Sequence, residues 1–291
     1  MTYATLMVHL QVGQPNGPVL LAAAGLAERF GAGVIGVVAC QPMQLVYGDG
    51  YIAGDAFEQD REEKDREVAA AEAAFRTAFR DRSNILEWRS TVTLASSSTW
   101  VADQARCADL IVTGVAAADF FDPSRRVDTG ELLMQAGRPV LVVPAGAPNN
   151  VPAGAPDNVP AGADTPTLDH AMIAWKDTRE TRRAVLDALP LLQRFTRVSV
   201  VEAAAKDDMA GARQHVADVV AWLGRHGIAA DSKAVHRTGD DAAQLDGLAQ
   251  ERGADLVVAG AYGHSRVREW ALGGVTRSLL LHSHRCSLLS H

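Results

Sequence analysis

The chain has 291 residues, 47% of them hydrophobic, which is enough for two ordinary cores. Its formal net charge of -7 argues against a surface built for nucleic acid or anionic lipid, because neutralising phosphates takes a basic face; any anionic ligand must be bound locally. Cys40, Cys107 and Cys286 are too widely spaced for a disulfide framework or a paired-thiolate metal site, no apolar run approaches the ~18–20 residues of a membrane span, and the start lacks a basic segment leading into an apolar stretch, so a soluble, unexported protein of the reducing cytoplasm is expected.

From the amino terminus, short β-branched runs alternate with longer helical patterns, the signature of βαβ units around a parallel sheet. Strands are predicted near Thr5–Leu10, Gly33–Cys40, Leu86–Val92, Asp109–Gly114 and Pro139–Val143. Among them Val68, Ala71, Phe75 and Phe79 recur at helical spacing and read as a core stripe. Gly31-Ala-Gly33-Val-Ile-Gly36 has the G-x-G-x-x-G spacing of a dinucleotide fingerprint, but that fingerprint must follow a strand and open a helix. Here the order is reversed, and the glycines read as a helix C-cap.

From Val143 to Asp164 the chain reads VPAGAPNN, VPAGAPDN, VPAGAD, an octapeptide written nearly three times. Rich in Pro, Gly and small residues, it buries little and reads as an exposed linker. Beyond it, strands are predicted near His170–Trp175, Arg197–Val201, Ala230–Val235, Asp255–Gly260 and Cys286–Leu289, with Val216, Val219, Val220 and Leu223 on one helix face. The two halves repeat each other. Ala108-Asp109-Leu-Ile-Val-Thr-Gly114 matches Ala254-Asp255-Leu-Val-Val-Ala-Gly260 at a shift of 146, and Arg138–Pro144 matches Arg285–His291 at a shift of 147. The boundaries read as a first domain over 1–144, a linker over 145–166 and a second domain over 167–291.

After the fourth strand of the second copy comes G-x2-G-x9-G, with Gly260, Gly263 and Gly273, closing onto a helix predicted from Val275 to His282. Glycines let a backbone approach a ligand at dihedrals other residues resist, and the free N–H groups of a helix N-terminus point at anions, so the pattern suits phosphates. In an open parallel sheet this loop lies at the carboxyl end of a strand, where such folds place ligands. The first copy keeps Gly114 but has Ala117 at the second glycine, and counting nine residues on reaches Val127 and Asp128, an acid that would oppose phosphate. That copy reads as structural or regulatory, or as a site for a different small ligand. His264, Arg266 and Arg268 lie within the glycine loop, either solvated or with an arginine on phosphate. Trp175 reads as a buried residue or as a stacking surface for a base. His282, His284, His291 and Cys286 cluster in sequence only, since a helix end and a strand start need not share a face.

On these residues the chain resembles the universal stress protein family in its tandem two-domain form. The likeness rests on the glycine pattern after a fourth strand introduced by Ala-Asp-Leu, the βαβ order, the repeat, and Ala174-Trp-Lys-Asp-Thr-Arg-Glu-Thr-Arg-Arg-Ala184, which is similar to the family's first-strand exit and first helix. It implies two tandem doubly wound α/β domains, each a five-stranded, mostly parallel sheet with helices on both faces, Rossmann-like and adenine nucleotide alpha hydrolase-like. It implies ATP, with or without Mg²⁺, held by Gly260, Gly263, Gly273, Gly274, Val275, Thr276 and Arg266 on one side and by Ala174, Lys176, Asp177 and Val201 on the other. It also implies an intramolecular pseudo-dimer with Pro139–Val143 beside Cys286–Leu289, and allows a homodimer of the whole chain.

Two positions depart from the family pattern. Gly274 stands where the ATP-binding branch has Ser or Thr. Lys176 aligns with the aspartate that exits the first strand, unless Asp177 fills that role; Lys176 could also pair with phosphate as a point charge. The expected function is an ATP-binding stress-response regulator that needs no turnover. The alternatives are a scaffold or interaction module that binds no nucleotide, and a slow ATPase, for which Asp177 alone offers a carboxylate near the phosphates.

Overall fold

The structure is a computed structural model that describes residues 2–43, 54–115, 123–144, 169–262, 274–281 and 284–291. The linker repeat and Gly263, Arg266 and Gly273 lie outside these residues, as does Ala117. The chain divides into two compact units.

The N-terminal unit, within Tyr3–Ala136, runs β1 (Thr5–His9), α1 (Gly17–Phe30), β2 (Gly33–Cys40), α2 (Gly54–Phe79), β3 (Leu86–Val92), α3 (Ser97–Gln104), β4 (Leu110–Gly114) and α4 (Thr129–Gln135). Its strands lie in the order β3-β2-β1-β4, all parallel. The C-terminal unit takes up the chain at Gly137 with β5 (Val140–Val143) and resumes after the linker with β6 (His170–Trp175), α5 (Arg179–Leu192), β7 (Arg197–Ala204) and α6 (Met209–Arg225). β8 (Ala230–His236), α7 (Asp241–Arg252), β9 (Leu256–Gly260), α8 (Gly274–Leu281) and β10 (Cys286–Ser290) complete it. Its order is β5-β10-β9-β6-β7-β8, parallel except for β5, which pairs antiparallel with β10 through Val140↔Leu289, Leu141↔Leu288 and Val142↔Ser287. Five strands precede the linker, but the fifth belongs to the C-terminal unit, where it covers the edge of β10, so the units carry four and six strands rather than five each.

One repeated residue explains why both copies begin alike. Asp109 Oδ2 accepts the backbone N–H groups of Ala4 and Thr5 at 2.8 and 3.0 Å, and Asp255 Oδ2 accepts those of Asp169 and His170 at 2.9 and 3.0 Å. The aspartate of each Ala-Asp-Leu run therefore ties the head of the fourth strand to the head of the first. This spends the aspartate on capping, and each fourth strand begins one residue later than predicted, at Leu110 and Leu256. β7 extends to Ala204, past the predicted Val201, because its ladder with β8 continues through Glu202↔Ala234 and Ala204↔His236.

Every residue of β2 and of β10 is buried, which requires cover on both faces, whereas the edge strands β3 and β8 alternate between partly buried and exposed positions. Phe75 and Phe79 of α2 are fully buried, and Phe75 packs on Trp88 of β3 at 5.5 Å between ring centroids. Gly31 ends α1 in the left-handed region at φ 61°, and a Cβ on Gly36 would lie 2.6 Å from the Trp88 ring, so the G-x-G-x-x-G spacing serves a cap and a packing contact. Among the described residues no helix is long and apolar enough to cross a membrane.

Candidate functional site

In the C-terminal unit the strand order reverses between β6 and β9, and the carboxyl ends of these two strands mark the crevice position where open α/β sheets take ligands. Ala174 of β6 pairs with Ala259 of β9 and with Val201 of β7, so the expected contact residues Ala174 and Val201 meet there beside Gly260. The two residues paired across this end of the ladder are both alanines, the smallest side chains after glycine.

The chain leaves β6 through Trp175, Lys176 and Asp177 into α5. Thr178 caps this helix, its Oγ1 accepting the Thr181 N–H at 3.4 Å, while its own N–H donates to the Lys176 carbonyl at 2.6 Å. Lys176 and Asp177 are both exposed, but they are not equivalent. Asp177 is held by Arg182, at 2.8 Å from Nη2 and 3.2 Å from Nε, whereas no ion pair engages Lys176 among the described residues. Trp175 is half-buried and its indole Nε1 is enclosed without a hydrogen-bond partner among the described residues.

Gly260 is required by packing. A Cβ there would lie 2.6 Å from the Glu180 carbonyl carbon and 2.8 Å from Thr181 Oγ1, and would run into the Thr181 nitrogen, so only glycine lets the first turn of α5 settle on the end of β9. Tyr262, two residues on, has φ 58°, a strained value for an aromatic residue, and its ring meets that of His291 edge-on at 6.0 Å. Gly274, at the start of α8, is exposed, and a Cβ there would have nothing within 4 Å among the described residues, so the hydroxyl side chain of the family pattern would fit. Thr276 is buried, and Val275 lines a small cavity with Ala242, Leu245 and Leu279, which ties both to the packing of α8 on α7.

Acidic groups that sequence reading missed surround the crevice. Glu180, in the first turn of α5, is 1% exposed; burial pulls its carboxyl up, but hydrogen bonds from Arg179 (2.6 Å), its own backbone and Thr178 outweigh this and hold it below its ordinary value. Glu202, beside Trp175 in the β6–β7 register, is pushed up by burial, drawn back by His215 at 3.3 Å, and pushed up further by Asp177 and Asp208. The signal for Glu202 was an acid inside the apolar run Val198–Ala204.

The N-terminal unit closes the same place. Aligned through Asp109 and Asp255, His9 takes the position of Ala174, Thr113 that of Ala259, Gln11 that of Lys176 and Gly114 that of Gly260. His9 Nδ1 lies 2.8 Å from Thr113 Oγ1, and burial lowers the imidazole pKa to about 4, so the ring stays neutral. Gln11 Nε2 donates across the opening to the Gly114 carbonyl at 3.1 Å. Asp128, which is exposed, is the N-cap of α4 and accepts the Glu131 N–H at 2.9 Å.

Residues 167–289 match the model of a family described as the universal stress protein family. A universal stress protein from Archaeoglobus fulgidus DSM 4304 is similar in structure at a TM-score of 0.70 and 12% identity, over 98% of this chain and 95% of that one. A functionally unknown protein from Pseudomonas aeruginosa PAO1 is similar at a TM-score of 0.57 and 13% identity, over 99% and 92%. A universal stress protein from Archaeoglobus fulgidus in complex with dAMP aligns with 49% of this chain and 99% of its own, at 20% identity and a TM-score of 0.34. No curated protein matches the sequence.

Proposed function

With residues 167–289 belonging to the universal stress protein family, we propose that the C-terminal unit is the adenine-nucleotide site of a regulatory protein acting in stress physiology. The observation that carries the reading is the Ala174–Ala259 pair. Where the N-terminal unit fills the mouth of its crevice with His9 and Thr113, the C-terminal unit has two methyl groups and a glycine. ATP, with or without Mg²⁺, fits this reading with its phosphates toward Gly263, Gly273, Gly274 and the N-terminal turn of α8, away from Glu202 and Asp208. Lys176 supplies a positive charge at the β6 exit, and Arg266 a second from the glycine loop. The hydroxyl missing at Gly274 leaves backbone N–H groups to make the contact.

Turnover has little support, since Asp177 is committed to Arg182. The scaffold reading is favoured by one specific observation: the contact of α5 with Gly260 accounts for that glycine without any ligand. The internal pairing of the two copies and the association of whole chains belong to the same proposal, with regulation following from nucleotide occupancy. Calorimetric titration of the full chain with ATP and Mg²⁺ tests it. One saturable site per chain is expected, lost in Gly263→Val; absence of binding at millimolar ATP would favour the scaffold.

A further inference from the structure

The N-terminal unit departs from its partner between its second and third strands. Forty-five residues separate β2 from β3, against 25 between β7 and β8, and α2 has 26 residues where α6 has 17. The extra helical turns bring a set of charged side chains to the carboxyl end of the sheet. Asp60 and Lys64 are both buried and pair at 2.6 Å, Asp60 also accepting the Met43 N–H at 3.1 Å, so this pair neutralises itself. The next turn carries Glu67, which reaches the exits of the first and fourth strands.

Two features converge on Glu67. Gly13, in the loop that leaves β1, has φ +68°, and a Cβ there would lie 2.9 Å from Glu67 Oε1, so the carboxylate rests against bare backbone. Glu67 Oε2 accepts from Arg125 Nε at 2.8 Å, and Arg125, in the segment that follows β4, is 12% exposed. Glu63, largely exposed, is the second carboxylate on that guanidinium, at 3.4 Å. A carboxylate packed close to a left-handed glycine and held by a nearly buried arginine makes the ion pair that an external oxyanion would make, supplied here by the protein's own helix.

We propose that Glu67 is a built-in ligand: the N-terminal crevice is a small-anion site filled from within by its carboxylate, and it takes an external carboxylate or phosphate when that side chain is removed. The helix extension then has a purpose, since it delivers the occupant.

The test is chemical rescue in the full chain. Glu67→Ala is melted with acetate or inorganic phosphate as probe, against sodium chloride at equal ionic strength. The variant is expected to melt below the wild type and to regain about 2–4 °C with saturating probe, while the wild type and Glu67→Ala/Arg125→Ala show no such gain. Comparison with the wild type removes any phosphate bound at the C-terminal glycine loop, so the result is independent of the nucleotide reading. Should Glu67→Ala fail to fold in plain buffer, the refolded fraction with and without acetate becomes the readout, and recovery must require Arg125. A variant that melts like the wild type, that gains nothing from either probe, or that keeps its gain without Arg125 overturns the proposal.

Discussion

At the exits of their first and fourth strands the two units carry different side chains on the same ladder: His9, Gln11 and Thr113 in one, Ala174, Lys176 and Ala259 in the other. The aspartates that set the ladder, Asp109 and Asp255, make the same two backbone contacts within 0.1 Å. The amino ends of the strands are thus tied alike in both units, whereas the carboxyl ends differ. Closure of the N-terminal crevice leaves the scaffold intact, so a unit of this kind can lose an external ligand without losing its shape.

The contrast predicts unequal responses to acid. His9 has a folded pKa of about 4, below its unfolded 6.5, so the unfolded chain takes up the proton first. The stability this residue contributes is complete above about pH 6.5 and is lost as pH falls toward 4, a change of up to about 3 kcal/mol. Denaturant melts of the full chain across that range should carry this slope, and His9→Gln, which stays neutral beside Thr113, should flatten it. An unchanged slope in the variant would remove His9 as the cause.

A smaller effect separates the two glycines of the candidate site. Gly260→Ala should cost about 2–3 kcal/mol, because the new Cβ meets backbone atoms of α5 that cannot step aside. Gly274→Ser, at a position open within 4 Å, should stay within about 0.5 kcal/mol of the wild type while tightening any phosphate contact. Thermal melting reads both, and equal losses would mean that Gly260 is not under packing constraint.

The alternation of strands and helices was legible from periodicity, and the repeat from Ala-Asp-Leu, because both are local patterns with a fixed spacing. Ala174, Lys176 and Gly260 could be placed at strand ends from the sequence because each stands beside a recognisable strand pattern. What stayed hidden was pairing across distance. His9 meets Thr113 from 104 residues away, Arg125 meets Glu67 from 58, and α5 meets Gly260 from about 80, and none of these pairs leaves a periodic trace in its own segment. The antiparallel pairing of β5 with β10 gives an otherwise bare edge strand a partner. The commitment of Asp177 to Arg182 was not foreseen, because five residues of separation across a helix start is neither of the helical spacings at which pairs are sought.

The most direct test of the central claim transfers the closed mouth to the open unit. The double variant Ala174→His/Ala259→Thr is titrated with ATP and Mg²⁺ by calorimetry beside the wild type, with its melting temperature recorded. The account predicts one site per wild-type chain and a loss of at least about 100-fold in affinity in a double variant that still folds. Undiminished binding in the folded variant would contradict it, since the nucleotide would then lie somewhere other than the crevice between β6 and β9.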